Sequence, residues 1–149
     1  MILSNLHSSM EITSCDPLVS TDIDTMLEAL NEFKIVPQDY LYIIFSYGLL
    51  EFGTKPAGDG VRYNLMHPID SYEFYFDTIS GPLIIPGMYP FASGLGAANL
   101  YYGEIDGRLG VYSCINSPVS HEGMVFIANK FTDILRYGEG CEILKELGS

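Results

Sequence analysis

The chain has 149 residues, 48% of them hydrophobic and 17% charged. That fits one globular domain with a real core and excludes an intrinsically disordered chain. Nineteen acids against seven bases leave a formal charge of −12, which disfavours nucleic acid and anionic membranes and suits a basic protein partner, a cation or plain solubility.

Met1 to His7 has neither the basic start nor the apolar length of a signal peptide. The longest apolar run, Tyr40 to Phe45, is far short of the ~20 residues that a membrane-spanning helix needs. Cys15, Cys114 and Cys141 are widely spaced and form no C-x-x-C pair. Neither a disulfide framework nor a zinc ribbon is indicated, and a cytoplasmic chain with reduced thiols is expected. Residues 1–20 carry no clear period and read as an arm or loosely docked leader, with residues 21–149 as one domain.

Ile23, Met26, Leu27, Leu30 and Phe33 recur at helical spacing and predict a first helix buried on that face, with Ser20 or Thr21 as its cap. On another face Asp24, Glu28 and Glu32 stand at i, i+4 and i+8. Such like-charge neighbours oppose one another in a helix. Between Glu11 and Glu51 there are eight acids and one base, Lys34. Pro37 suits the first turn of a second helix, with Asp39 near the positive end of its dipole. Tyr40 to Phe45 is apolar nearly all round, which predicts cover on more than one side, and Gly48 suits a left-handed stop.

From Leu49 the pattern changes to strands and turns. Strands are expected over 61–66, 71–77, 89–92, 99–104, 109–115 and 124–128. In the second of these, Tyr72, Phe74 and Phe76 are expected to face the core, with Glu73, Tyr75 and Asp77 on the polar side. Asp106-Gly107 is a strong hairpin signal. Asn129 is expected to cap a helix bearing Phe131, Ile134 and Leu135, and Cys141 to Leu147 to add a last turn or two. Helices and strands segregate, so the expected fold is α+β: N-terminal helices on a mostly antiparallel sheet of five or six strands, closed by a C-terminal helix.

Catalytic signals are weak. Ser93 to Asn99 resembles half of a dinucleotide fingerprint but lacks the third glycine and a following helix. His7, His67 and His121 are isolated, and Cys114 reads as a packed thiol. No catalytic residue, metal site or cofactor is expected. Tyrosine occurs 11 times, and Tyr75, between Glu73 and Asp77, is a candidate interface anchor.

Several motifs occur in an order that resembles the SUKH superfamily, which includes a fungal cell-wall-synthesis regulator and many bacterial toxin-immunity proteins. Val36-Pro37-Gln38-Asp39-Tyr40 opens a helix ending at Tyr47-Gly48. Pro90-Phe91-Ala92 precedes a Gly-rich turn and Asn99-Leu100-Tyr101-Tyr102. Val111-Tyr112 follows, then Phe126-Ile127-Ala128-Asn129-Lys130-Phe131 with Ile134-Leu135. The resemblance spans roughly residues 21 to 137. Tyr47-Gly48-Leu49-Leu50 stands where the family usually has Asn-Gly-Gly, a departure that also fits a related immunity family paired with secreted DNase effectors.

The resemblance implies a non-enzymatic cytoplasmic binder that neutralises a cognate toxin. Nucleases are commonly basic, and an acidic chain complements such a partner. The expected partner-binding residues are Asp24, Glu28, Glu32, Glu73, Tyr75, Asp77, Glu104 and Asp106. A regulatory scaffold of the same fold and a small hydrolase or metal-dependent enzyme are the alternatives.

Overall fold

A computed structural model describes residues 4–19, 22–55, 60–115 and 117–148. The expected caps Ser20 and Thr21 lie outside these residues. Seven strands form one antiparallel sheet in chain order: β1 (Met10–Asp16), β2 (Leu49–Thr54), β3 (Arg62–Leu65), β4 (Tyr89–Leu95), β5 (Leu100–Ile105), β6 (Arg108–Cys114) and β7 (Met124–Ala128). Helices α1 (Ile23–Asn31) and α2 (Gln38–Ser46) separate β1 from β2. A helical segment separates β3 from β4: α3 (Pro68–Tyr72), a π-helical turn (Glu73–Thr78) and the short α4 (Gly81–Ile84). Helices α5 (Phe131–Tyr137) and α6 (Cys141–Leu147) close the chain.

The α+β expectation holds, with one strand more than the upper count. Two strands, β1 and β2, lie outside the expected spans, and one expected strand, over 71–77, is helical. Part of the expected arm is the edge strand β1, whose Met10 is buried and whose ladder runs from Met10 opposite Thr54 to Asp16 opposite Leu49. Its partner lies more than thirty residues away in sequence, so no local pattern announces it. The pairing ends at Gly48, which has φ +114°, and a Cβ there would collide with the Asp16 carbonyl. Further back, the His7 amide donates to the Leu135 carbonyl at 2.8 Å, tying the leader to α5.

Tyr40, Ile43 and Ile44 of α2, Phe131, Ile134 and Leu135 of α5, and Leu144 of α6 build the main core with Phe52, Tyr63 and Phe91 of the sheet. A smaller core lies on the sheet's opposite side. Along β5 and β6, Leu100 and Val111 face the main core, whereas Tyr101 and Tyr112 face Tyr75, Ile85 and Met88. Phe33, just beyond α1, packs against both cores. Its ring lies 4.6 Å from Tyr89, 5.2 Å from Tyr75 and 5.5 Å from Phe76.

Four local expectations are corrected. Residues 71–77, read as a strand, are helical. His67-Pro68 is a helix start: the His67 Nδ1 accepts the Ile69 amide at 3.1 Å, and Pro68 occupies the first turn. The following turn is wide, with the Ile79 amide bonded to the Phe74 carbonyl at 3.0 Å. Second, α1 buries Met26 and Ala29, while Ile23 and Leu27 are exposed. Third, α2 leaves Tyr42 and Phe45 exposed, so it is covered on one side only. Fourth, Asn129 does not cap α5. Lys130 holds the cap position without a side-chain bond, and the cap comes from Asp39 of α2. Asp39 Oδ2 accepts from the Thr132 amide at 2.8 Å and from the Thr132 hydroxyl at 3.0 Å.

Among the described residues, no helix is long and apolar enough to cross a membrane.

Candidate functional site

Asp39 and Tyr40, two of the residues that carry the family resemblance, are held in structural hydrogen bonds. Asp39 Oδ1 also accepts the Tyr40 amide at 2.9 Å, so this one carboxylate serves the starts of both α2 and α5. Tyr40 is fully buried. Its hydroxyl donates to the Met66 carbonyl and accepts from the Tyr89 hydroxyl, the latter at 3.1 Å. Burial pushes the Tyr40 phenol well above its ordinary value and that of Tyr89 up to about 12. Buried neutral phenols that bond each other and a carbonyl hold α2 against β4; they offer no reactive group to a ligand.

The acids of α1 behave differently. Helix α1 packs across α3. That brings Glu28 and Glu32 opposite Glu73 and Asp77 of the π-helical turn, around one open hollow of about 370 Å³ with Ile69 and Tyr72 also in its walls. All four acids are exposed. None has a cationic partner among the described residues; the ion pairs Arg62–Glu11 (2.8 Å) and Lys145–Glu142 (3.9 Å) lie elsewhere.

Two of the four stand at electrostatically unfavourable ends. Glu32 caps the C-terminus of α1 and Asp77 sits in the last turn of the π-helical segment. A helix C-terminus carries partial negative charge and favours cations. These positions therefore add dipole repulsion to the mutual repulsion of Glu28 and Glu32. Among the described residues, no group of three or more His, Cys, Asp or Glu could hold a metal ion. The carboxylates are spread around the hollow and suit several separate cations better than one ion.

The remaining expected residues do not converge here. Asp24 is exposed in the first turn of α1, along the same stripe but outside the hollow's walls. Glu104 and Asp106 are exposed on the β5–β6 hairpin, where Asp106 and Gly107 take φ +51° and +80° and close the two-residue turn. Neither lines the hollows described here.

Tyr75, expected on a polar face, is 4% exposed, and its hydroxyl donates to the Ile85 carbonyl at 3.0 Å. It belongs to the smaller core, and the edge it shows lies in the wall of a neighbouring hollow. Conversely Tyr72 and Phe76, expected in the core, are partly buried and reach the surface hollows. Helical geometry accounts for both reversals. Tyr72 and Phe76 stand at i and i+4, with their rings 4.7 Å apart, while Tyr75 points inward. The helix-start signal at His67-Pro68 was the clue that could have found this.

Two further hollows follow the acidic one along the chain. The next, about 420 Å³, shares Glu32 and is walled by Phe33, Lys34, Ile35, Tyr75, Phe76, Pro82, Pro86 and Gly87. The last, about 610 Å³, shares Ile35 and is walled by Val36, Gln38, Asp39, Tyr102, Leu109 and Lys130.

Other candidates have local roles. The Gly94 amide donates to Asn99 Oδ1 at 3.0 Å, closing the β4–β5 turn. His7 bonds Ser9 and His67 caps α3. Cys114 and Cys141 are buried, and the exposed Cys15 thiol donates to the Tyr47 carbonyl at 2.7 Å. No family model, curated protein or solved structure matches the chain.

Proposed function

We propose that the chain is a non-enzymatic, cytoplasmic binding protein whose acidic hollow receives a basic protein partner. Following the resemblance to the SUKH superfamily, that partner is a toxin domain and the chain its immunity protein, with a nuclease as the fitting class. The observation that carries this reading is the gathering of Glu28, Glu32, Glu73 and Asp77 from two helical segments onto one hollow without a counter-ion among the described residues. Folding alone gives no reason for it, since every pairwise term among them is repulsive. A cationic partner reverses the sign of those terms and speeds encounter by steering.

The test uses the full chain as bait in extracts of its source cells, followed by expression of each recovered partner in a bacterial host. The expected result is a basic protein that arrests growth alone, with growth restored by the native chain and not by E28K/E32K/E73K/D77K. Rescue that is indifferent to this charge reversal would reject the hollow as the site. Recovery of only neutral or acidic partners would reject the reading as a whole.

A further inference from the structure

The three hollows lie in series. Glu32 is a wall of the first and second, and Ile35 of the second and third. Together they follow the C-terminal half of α1 and the connector to α2. From Glu28 to Val36 the chain covers at most about 20 Å, counting ~1.5 Å per helical and ~3.3 Å per extended residue. That is the length of about six residues of extended peptide.

The chemistry changes along this line. The first hollow is ringed by four carboxylates. The second is mostly apolar, with Phe33, Ile35 and Phe76 beside the exposed prolines Pro82 and Pro86. Its one cation, Lys34, repels positive charge where the carboxylates next door attract it. The side-chain charge therefore changes sign between Glu32 and Lys34, two residues apart, and that step sets a register.

We propose that this row of hollows holds an extended segment of the protein partner, with lysines or arginines seated among Glu28, Glu32, Glu73 and Asp77 and an apolar side chain seated between Phe76 and the two prolines. The inference rests on the reading that the partner is basic, and it adds that recognition is by a linear segment with an apolar anchor. The anchor supplies desolvated contact area, which charge pairs on an open surface do not. The carboxylates fix which end of the segment lies on α1. Lys34 excludes segments that are basic throughout.

A display library of random twelve-residue peptides, panned against the full-length protein, tests this without knowledge of the partner. The expected enrichment is of peptides with two or more Lys or Arg residues on one side of an aliphatic or proline-containing stretch. A synthetic copy of the enriched sequence should lose at least tenfold in affinity for E28Q/E73Q/D77N. It should lose a similar factor, independently, for P82E/P86E. Those prolines are exposed, so the variant keeps its core, and an unchanged thermal midpoint checks that.

Enriched peptides that are basic throughout and bind P82E/P86E as tightly as the native chain would overturn the apolar anchor while leaving the basic partner standing. Apolar peptides indifferent to E28Q/E73Q/D77N would overturn the inference and count against the acidic hollow as well. Absence of enrichment above an unrelated acidic control protein would overturn recognition by a linear segment, and the growth-rescue test would then decide the basic-partner reading on its own.

Discussion

Asp39 and Glu32 are both acids beside a helix end, and they differ in what surrounds them. Asp39 lies at helix N-termini, accepts three hydrogen bonds and joins α2 to α5. Glu32 lies at a helix C-terminus, has no cationic partner among the described residues and shares a hollow with three more carboxylates. The first arrangement lowers the energy of the folded chain and the second raises it. A negative charge of −12 is therefore not one property. Part of it is bound into the fold, and part is held out where only something outside the chain can compensate it.

The sharpest way to break this contrast is the combined E28K/E32K/E73K/D77K variant. Its affinity for the proposed basic partner should fall at least a hundredfold, and the complex of the unaltered chain should weaken steeply as salt rises. Titration calorimetry at two ionic strengths reads both effects. Unchanged affinity would mean that the hollow's acids are ordinary solvated surface.

Next in size is Asp39→Ala, expected to lower unfolding free energy by about 2 kcal/mol, since it removes a helix cap and strands the Thr132 donors. Asp39→Asn should cost less. Urea denaturation checks both. A loss no larger than that from changing an acid of the hollow would erase the distinction between the two groups.

Alkali should attack the built region selectively. Burial raises the phenols of Tyr89 and Tyr101 to about 12, from an ordinary value of 10. Below pH 10 both folded and unfolded states are neutral and the full stability is present. Between pH 10 and 12 the unfolded chain ionises first, so stability falls, by about 1 kcal/mol per pH unit for each tyrosine. Stability curves flat from pH 9 to 11.5 would contradict the buried Tyr40–Tyr89 pair as a structural element.

The smallest effect has the opposite sign. Glu32→Gln with Asp77→Asn should raise stability by a few tenths of a kcal/mol while weakening the partner complex, because it removes charge from two helix C-termini. A gain in one quantity at the expense of the other is the signature of acids retained for binding. Loss of both would assign them to the fold.

The sequence made local features readable and distant ones not. The stripe Asp24, Glu28, Glu32 and the Asp106-Gly107 turn depend on residues within a few positions, and both take their expected local form. Glu73 and Asp77 were identifiable as acids, yet their meeting with α1 depends on how α1 packs on α3, which no spacing encodes. Strand β1 stayed hidden because its ladder partner lies beyond two helices. Residues 71–77 misled for a different reason. Aromatics at 72, 74, 75 and 76 satisfy a period of two and a helical face at once, and only the start at His67-Pro68 separates the two. Choosing the strand turned Tyr75 outward and Tyr72 inward, the reverse of their places.

Among the described residues, Phe33 packs against both cores, and it also walls the middle hollow. Whatever rests there touches a ring on which the two halves of the molecule both pack. Occupancy is thereby linked to global unfolding, not to one helix. A bound partner at a hundred times its dissociation constant adds about 2.7 kcal/mol to the folded state as a whole. The chain therefore carries its own reporter: a melting curve, with no label attached, registers when its hollow is filled.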